Sequence, residues 1–442
     1  MTDSQVQNFR VYEASCNYQI NPLCTDQSPV FSWKMRSPVE GDRQKAYRLL
    51  ISSSKEKLLA GEGDVLDSGR IERSENLSLP YEGPELLPRT LYYWRVEVEN
   101  REGAHAFGPV SYFRTGKLKE KWQAKWISHP DIKMGRSDKA APYMRKEFKL
   151  RGKVKEASLY LCGLGLYEAY LNGEKISDNL LEPAYTKYDA RVLYRYYDLS
   201  RQLRESAAEN SEETACLGVI LGNGWYNNFS ADAWNGQQAP WRAIPKMIAE
   251  LYIEYEDGSK DRILSDESWE CLTGPIVFNS VRNGEHYDAR LEIPGWSRAG
   301  FEHEDLKKAQ QQRSPGGLLV ASEAPPIRVT KVLKPVEVFD TRDGKRIFDL
   351  GQNYAGKARL KACGKRGSHI VLRYAELLTD DKSGVDQTAI KSFLKSEEFQ
   401  TEHYIKKSDE PEIWSSHFTY HGHRYVEVSC LNGDLGETTL EG

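Results

Sequence analysis

Two pairs of oxygen-bearing side chains are the first places in this chain where chemistry could be done. Asp178 and Asn179 are adjacent at the end of a predicted strand, and Asn227 and Asn228 lie just past the Gly222 to Trp225 turn. Calcium takes six to eight oxygen ligands, so Asp178, Asn179 and Asn228, with Asn227 beside them, are donors of the type it needs. The same residue types close turns on their own backbones, and that reading stays open beside the first. A second cluster, Glu285, His286, Asp288 and Arg290 in "NGEHYDAR", alternates acid, base and cation along one stretch. Such a set resembles an active site in composition, but alternating charges on a strand also build ion-pair networks between domains, and the structural role is the expectation. His417, His421 and His423 do not repeat a zinc-ligand spacing. No GxSxG elbow precedes a helix, and no phosphate loop is present.

The elements that must position these residues are strands. The chain has 25 Tyr and 10 Trp among 442 residues, a composition that favours sheets and supplies flat faces on which sugars can stack. Runs such as "AYRLLIS", "YYWRVEVE", "KMIAELYIEY" and "HIVLRYAEL" alternate with period two between turn pairs such as Asn172-Gly173 and Asp257-Gly258. That pattern reads as antiparallel strands with one buried face, and the predicted fold class is all-β, built from serial β-sandwiches. The net charge of −4 is small and the charges are interspersed, which gives no reason to expect nucleic acid or an anionic membrane as partner. Seven cysteines without a CxxC pair suggest neither a zinc ribbon nor a disulfide framework. Met1 to Arg10 is polar and no apolar run reaches the length of a membrane span, so the expected location is cytoplasmic.

Three modules are expected. Residues 1–116 place Trp33 in "FSWKM" and Trp94 in "YYWRVEVE" on separate strands, where both indoles can fill the core of a fibronectin type III-like sandwich. Residues 117–325 form the longest module, entered through "WQAKWISHP", whose Trp122 and Trp126 pin the linker to a sandwich. Residues 326–442 form a further sandwich. There Gly351 and Gly356 bracket a tight strand connection, and Thr379 to Gln400 reads as a loop over a neighbouring domain.

Several blocks, in order, carry a resemblance. "LLPRTLYYWRV", "LYLCGLGLYEAYLNGEKISDNLLEPAYTKYDARVLYRYYDLS", "LGNGWYNN", "SDESW", "NGEHYDAR", "IFDLGQNYAGKARL" and "FTYHGHRYVEV" resemble the bacterial α-L-rhamnosidases of glycoside hydrolase family 78. The resemblance implies a jelly roll in the middle module, a packing turn at the His421-Gly422 step, and a last sandwich that would precede a catalytic helical barrel. It also implies the substrate class, L-rhamnose-containing glycosides. In some family members the jelly roll is similar to a calcium-dependent rhamnose-binding module, whose counterpart here would use Asp178, Asn179, Asn227 and Asn228. Inverting glycoside hydrolysis needs two carboxyls about 6.5–9.5 Å apart across a cleft, and in this family both come from the barrel. No long amphipathic helical series is visible, so no residue is assigned a catalytic role. The expectation is an accessory β-domain part. A stand-alone calcium-dependent rhamnose binder, or half of a split enzyme completed by a separately encoded barrel, remain alternatives.

Overall fold

The computed structural model describes residues 9–135, 139–209, 214–395 and 398–442. Most of the polar amino-terminal stretch and residues 396 and 397 of the expected loop lie outside them. The chain divides into two compact units, Met1–Lys121 with Leu319–Ala324, and Trp122–Leu318 with Pro325–Gly442.

In the first unit a three-stranded sheet containing Arg10–Cys16 and Val30–Arg36 faces a five-stranded sheet centred on Gln44–Ser52 and Leu91–Asn100. The 91–100 strand turns Tyr92, Trp94, Val96 and Val98 inward at every second residue, the period a half-buried strand imposes. Trp33 and Trp94 are both core residues. The Trp33 indole donates to Gln44 Oε1 at 2.9 Å, and Trp94 packs on Phe31 with ring centroids 4.7 Å apart. Both rings are core, whereas an open sugar platform would leave them exposed.

The second unit begins with a jelly roll. One sheet carries Leu166–Leu171, Thr214–Gly222, Pro142–Lys149 and Glu270–Thr273 in that spatial order, and its facing sheet carries Lys246–Tyr255, Val154–Leu164 and Arg191–Asp198. Leu159, Leu217, Val219, Leu251 and Trp269 fill the space between them. Trp122 reaches this module edge-on to Tyr194, with centroids 5.3 Å apart, while Gln123 and Ala124 donate their backbone N–H groups to the buried Glu250 carboxylate.

The carboxyl-terminal sandwich of the same unit is a seven-stranded sheet over a three-stranded one, with Phe348, Leu372, Tyr374, Val426 and Val428 between. Its first two strands, Ile276–Ser280 and Gly284–Asp288, come from sequence before residue 325. This hairpin enters through a parallel pairing of Gly284–Asp288 with Thr401–Ile405. Gly284 has φ +123°, and a Cβ there would stand 1.9 Å from the Thr401 carbonyl oxygen, so only glycine admits the close approach. A shared apolar cluster, in which Phe418 meets Tyr143, Leu166, Ile220 and Ile276, then welds sandwich to jelly roll.

Three local expectations in the last sandwich change. Gly351, at φ +79°, lies in a bulge within the continuous strand Arg346–Gly356, where the register shifts between Asp349 and Tyr354, and the Asp349 carboxylate accepts from Gly351 N at 2.7 Å. A side-chain acceptor holds the extra residues in the strand and no separate connection is needed. The 379–400 segment carries a short strand, Val385–Asp386, and a helical turn, Thr388–Lys391, started by Asp386 accepting from Thr388 N at 2.8 Å. His421 and His423 begin the strand His421–Cys430 and are wholly buried, because alternation directs both into the sandwich. All seven cysteines are free thiols. Among the described residues no helix is long and apolar enough to cross a membrane.

Candidate functional site

A groove of about 920 Å³ opens between the jelly roll and the last sandwich of the second unit. Tyr185 and Trp225 form an aromatic wall with centroids 6.0 Å apart, Glu168, Lys357 and His417 lie at its polar end, and Ile327, Val329 and Val332 border it as exposed apolar side chains.

The carboxylates around this groove are fully engaged by neighbouring groups. Glu168, on the strand Leu166–Leu171, is 7 % exposed; it accepts from the Tyr170 hydroxyl at 2.7 Å and pairs with Lys175 at 2.7 Å. Burial works against its charge, but His417 and Lys175 outweigh burial and hold the carboxyl below the usual range. Glu285 is completely buried, and it accepts from the backbone N–H groups of His417 and Phe418 at 3.0 and 3.1 Å and contacts His417 Nδ1 at 2.8 Å. Burial opposes the His417 charge as well, yet Glu285 and Glu168 raise its pKa above the ordinary value. Below the groove, Glu402 accepts from the Tyr374 hydroxyl at 2.6 Å and meets His421 Nε2 at 3.0 Å. A general acid needs a carboxyl whose pKa is raised toward neutrality and whose proton can reach the substrate. Glu168 is lowered instead, and both Glu285 oxygens are taken. What this arrangement does chemically is fasten the inserted hairpin into the last sandwich: Glu285 comes from the hairpin and His417 from the segment 132 residues later.

The rest of "NGEHYDAR" divides among separate tasks. Asp288 makes a bidentate pair with Arg290 at 2.8 and 2.7 Å and accepts from Arg290 N at 3.1 Å, a local cap. His286 faces His403, with ring centroids 4.1 Å apart.

The four predicted oxygen donors are kept in their two pairs, each beside an arginine. The Asp178 carboxylate, 73 % exposed, pairs with Arg328 at 3.0 Å, and Asn179 Oδ1 accepts from the same Nε at 3.2 Å. Asn227 is buried; its Oδ1 accepts from Arg242 Nε at 3.1 Å and its Nδ2 donates to Asn223 Oδ1 at 2.8 Å. Asn228 Nδ2 donates to Asp232 Oδ2 at 2.9 Å. Asp232, which the sequence reading passed over, organises this loop by also accepting from Trp234 N and Gly236 N at 2.9 and 3.1 Å. A guanidinium at each pair supplies the positive charge that calcium would bring, so in this arrangement the residues do not fit a shared calcium ion. For Asp178→Ala we expect a stability change of at most about 1 kcal/mol, the range of an exposed ion pair, and no change in calorimetric calcium titrations. A larger loss, or calcium uptake that the substitution removes, would restore the metal reading.

The buried histidines set a pH dependence. Burial pushes the His423 imidazolium down to about 4, against the bond its Nδ1 makes with the His421 carbonyl. An unfolded histidine titrates near about 6.5. Between these values the unfolded state binds the extra proton, so this contribution to stability is present above about pH 6.5 and is lost as pH falls toward 4. The cost from pH 7 to pH 5 is about 2 kcal/mol. His417, with its raised pKa, acts in the opposite sense: its contribution is complete below about pH 6.5 and fades as pH rises through its folded pKa. Urea unfolding at pH 7, 6 and 5 should show His423→Phe removing about 2 kcal/mol of the acid loss, and an unchanged acid limb would contradict this.

Comparisons with known proteins place the whole chain. Residues 11–119 match the family model described as a Rha78A-like N-terminal immunoglobulin domain, 152–331 the α-L-rhamnosidase N-terminal domain, and 339–442 the bacterial α-L-rhamnosidase concanavalin-like domain. The first of these names an immunoglobulin domain where the sequence pattern pointed to fibronectin type III; both are two-sheet sandwiches with buried core aromatics. An α-L-rhamnosidase of Formosa agariphila is 34% identical over 94% of this chain and 45% of its own length, and one of Alteromonas sp. is 30% identical over 93% and 44%. Among solved structures, α-L-rhamnosidase from Dictyoglumus thermophilum is 36% identical, with TM-score 0.85 over 98% of this chain and 48% of its own. The Streptomyces avermitilis enzyme complexed with L-rhamnose is 25% identical, with TM-score 0.87 over 98% and 57%. The chain thus spans about half the length of these relatives. With three successive domain matches and the same fold along nearly its full length, the chain belongs to the bacterial α-L-rhamnosidase family, as an N-terminal β-domain portion.

Proposed function

We propose that this chain is the accessory β-domain part of an α-L-rhamnosidase that removes terminal L-rhamnose from glycosides, and that its groove seats the half of the enzyme that it does not span. One observation carries the reading. The charges at the groove are neutralised from within by Glu285, His417, Glu168 and Lys175, while its border exposes Ile327, Val329 and Val332 at 53 %, 65 % and 50 %. Charges paired from within beside an open apolar rim are what a domain-docking face needs, since interfaces between domains of one chain bury about 600–1,500 Å² and reward apolar contact. Ile327, Val329, Val332, Val336 and Val338 are all exposed on the 327–338 segment, and Leu377 and Phe393 are exposed near the 379–400 segment as well.

The remainder of the Dictyoglumus thermophilum relative, expressed without its β-domains, provides the partner for a test. It should bind this chain at micromolar concentration by calorimetry, and Val329→Asp with Val332→Asp should weaken binding at least about tenfold, because each buries an unpaired charge. Absence of binding, or equal binding by the double variant, would refute docking at this face.

A further inference from the structure

Three histidines lie side by side on one face of the large sheet in the last sandwich. The parallel pairing of Gly284–Asp288 with Thr401–Ile405 sets His286 directly against His403, and the antiparallel partner of His403 on the next strand is Val371, two residues from His369. Residues two apart on a strand share a face, so His286, His403 and His369 form a row, with Phe278 stacked on the outer side of His286 at 4.4 Å between centroids. Glu402, adjacent to His403, points to the opposite face, where it meets Tyr374 and His421. The row is therefore separate from the network beneath the groove.

The polar atoms of the row converge on one exposed carboxylate. His403 Nε2 lies 2.7 Å from Glu398 Oε2, and His403 Nδ1 lies 2.9 Å from His369 Nε2. One ligand atom each from His286, His403 and Glu398 falls within 4.8 Å of the others. Two imidazole nitrogens and a carboxylate oxygen are the borderline donor set that zinc takes, at about 2.0–2.2 Å from the ion. Ligand atoms around a tetrahedral ion at those lengths stand roughly 3.3 Å apart, which the flexible, exposed Glu398 can reach by a rotamer change. His369 completes the arrangement: with a metal on His403 Nε2, His403 Nδ1–H would donate to His369 Nε2, 2.9 Å away, and hold that tautomer. The charge around the row is mixed. Lys139 lies over Phe278 with its ammonium 5.2 Å from the ring centroid, and Asp288 and Glu402 are the nearby anions on the paired strands. The strands that carry the histidines are fixed by backbone pairing, so the three ligand atoms, already within 4.8 Å of one another, have only to close to about 3.3 Å around the ion.

We propose that His286, His403 and Glu398 form a zinc site on the last sandwich, with His369 as the residue that positions His403 and with water at the fourth, solvent-facing position. Binding would cross-link the inserted 276–288 hairpin to the central sheet, adding a bond between segments 117 positions apart in sequence (403 − 286).

The test uses the whole chain, dialysed against chelator and titrated with zinc alone by calorimetry, with cobalt absorption as an independent report of imidazole ligation. One equivalent should bind in the micromolar range or tighter. Glu398→Gln, a change at an exposed side chain, and His286→Asn should each weaken binding at least about tenfold, and His369→Ala should weaken it less while changing the cobalt spectrum. Zinc should also raise the thermal unfolding midpoint of the parent chain and leave that of Glu398→Gln unmoved. The seven free thiols offer zinc another home, and binding there would survive Glu398→Gln. Unchanged zinc affinity in Glu398→Gln and His286→Asn, or no saturable binding in the parent, would overturn the proposal. Neither result bears on docking at the groove, whose residues are different.

Discussion

Glu285→Ala is expected to cost about 3–5 kcal/mol in urea unfolding of the second unit. Glu285 is completely buried, its carboxylate accepts two backbone N–H groups, and it holds the imidazole of His417 at 2.8 Å. Alanine removes all of these at once and leaves the two N–H donors and His417 without their acceptor, the situation in which breaking a buried pair is far more costly than the pair's own net contribution. Glu285→Gln separates the parts. Its amide oxygen still accepts from one backbone N–H, but the charge that raises the His417 pKa is gone, so the loss should be intermediate and the alkaline fading of stability due to His417 should flatten. A cost below about 1 kcal/mol for Glu285→Ala would mean that strand pairing and the Phe418 cluster hold the hairpin and that the ion pair is incidental.

The same pair shows what could and could not be read from the amino-acid sequence. Trp33 and Trp94 announce the first sandwich because the alternation that buries them is local, complete within one strand of about seven to ten residues. Strands of the middle module, such as Lys246–Tyr255, were legible from their apolar runs, whereas the jelly roll they build came only from the resemblance. Glu285, by contrast, looked like one charge among several in "NGEHYDAR", since its partner His417 is 132 residues away and only the parallel insertion of the hairpin brings them together. His286 and His403 were hidden in the same way, because no spacing rule describes ligands joined by a pairing between distant strands. Asp178, Asn179, Asn227 and Asn228 show the converse. Their types suited calcium, but type alone carries no information about Arg328 and Arg242, which occupy their oxygens. The bulge at Gly351 was misread as a connection because glycine and an amide pair mark both features, and the acceptor that decides, Asp349, precedes the motif by two residues.

The account as a whole rests on the absence of hydrolytic geometry among the described residues of a chain that belongs to a hydrolase family. Its carboxylates near a sugar-sized space, Glu168 and Glu285, are engaged by Lys175, Tyr170 and His417, and Glu168 is held below the usual carboxylate range. The most direct measurement is the release of the aryl group from an aryl α-L-rhamnoside by the purified chain, alongside Glu168→Gln and Glu285→Gln. The account predicts no turnover above the buffer rate in any of the three; robust turnover by the parent that a single carboxylate substitution abolishes would contradict it.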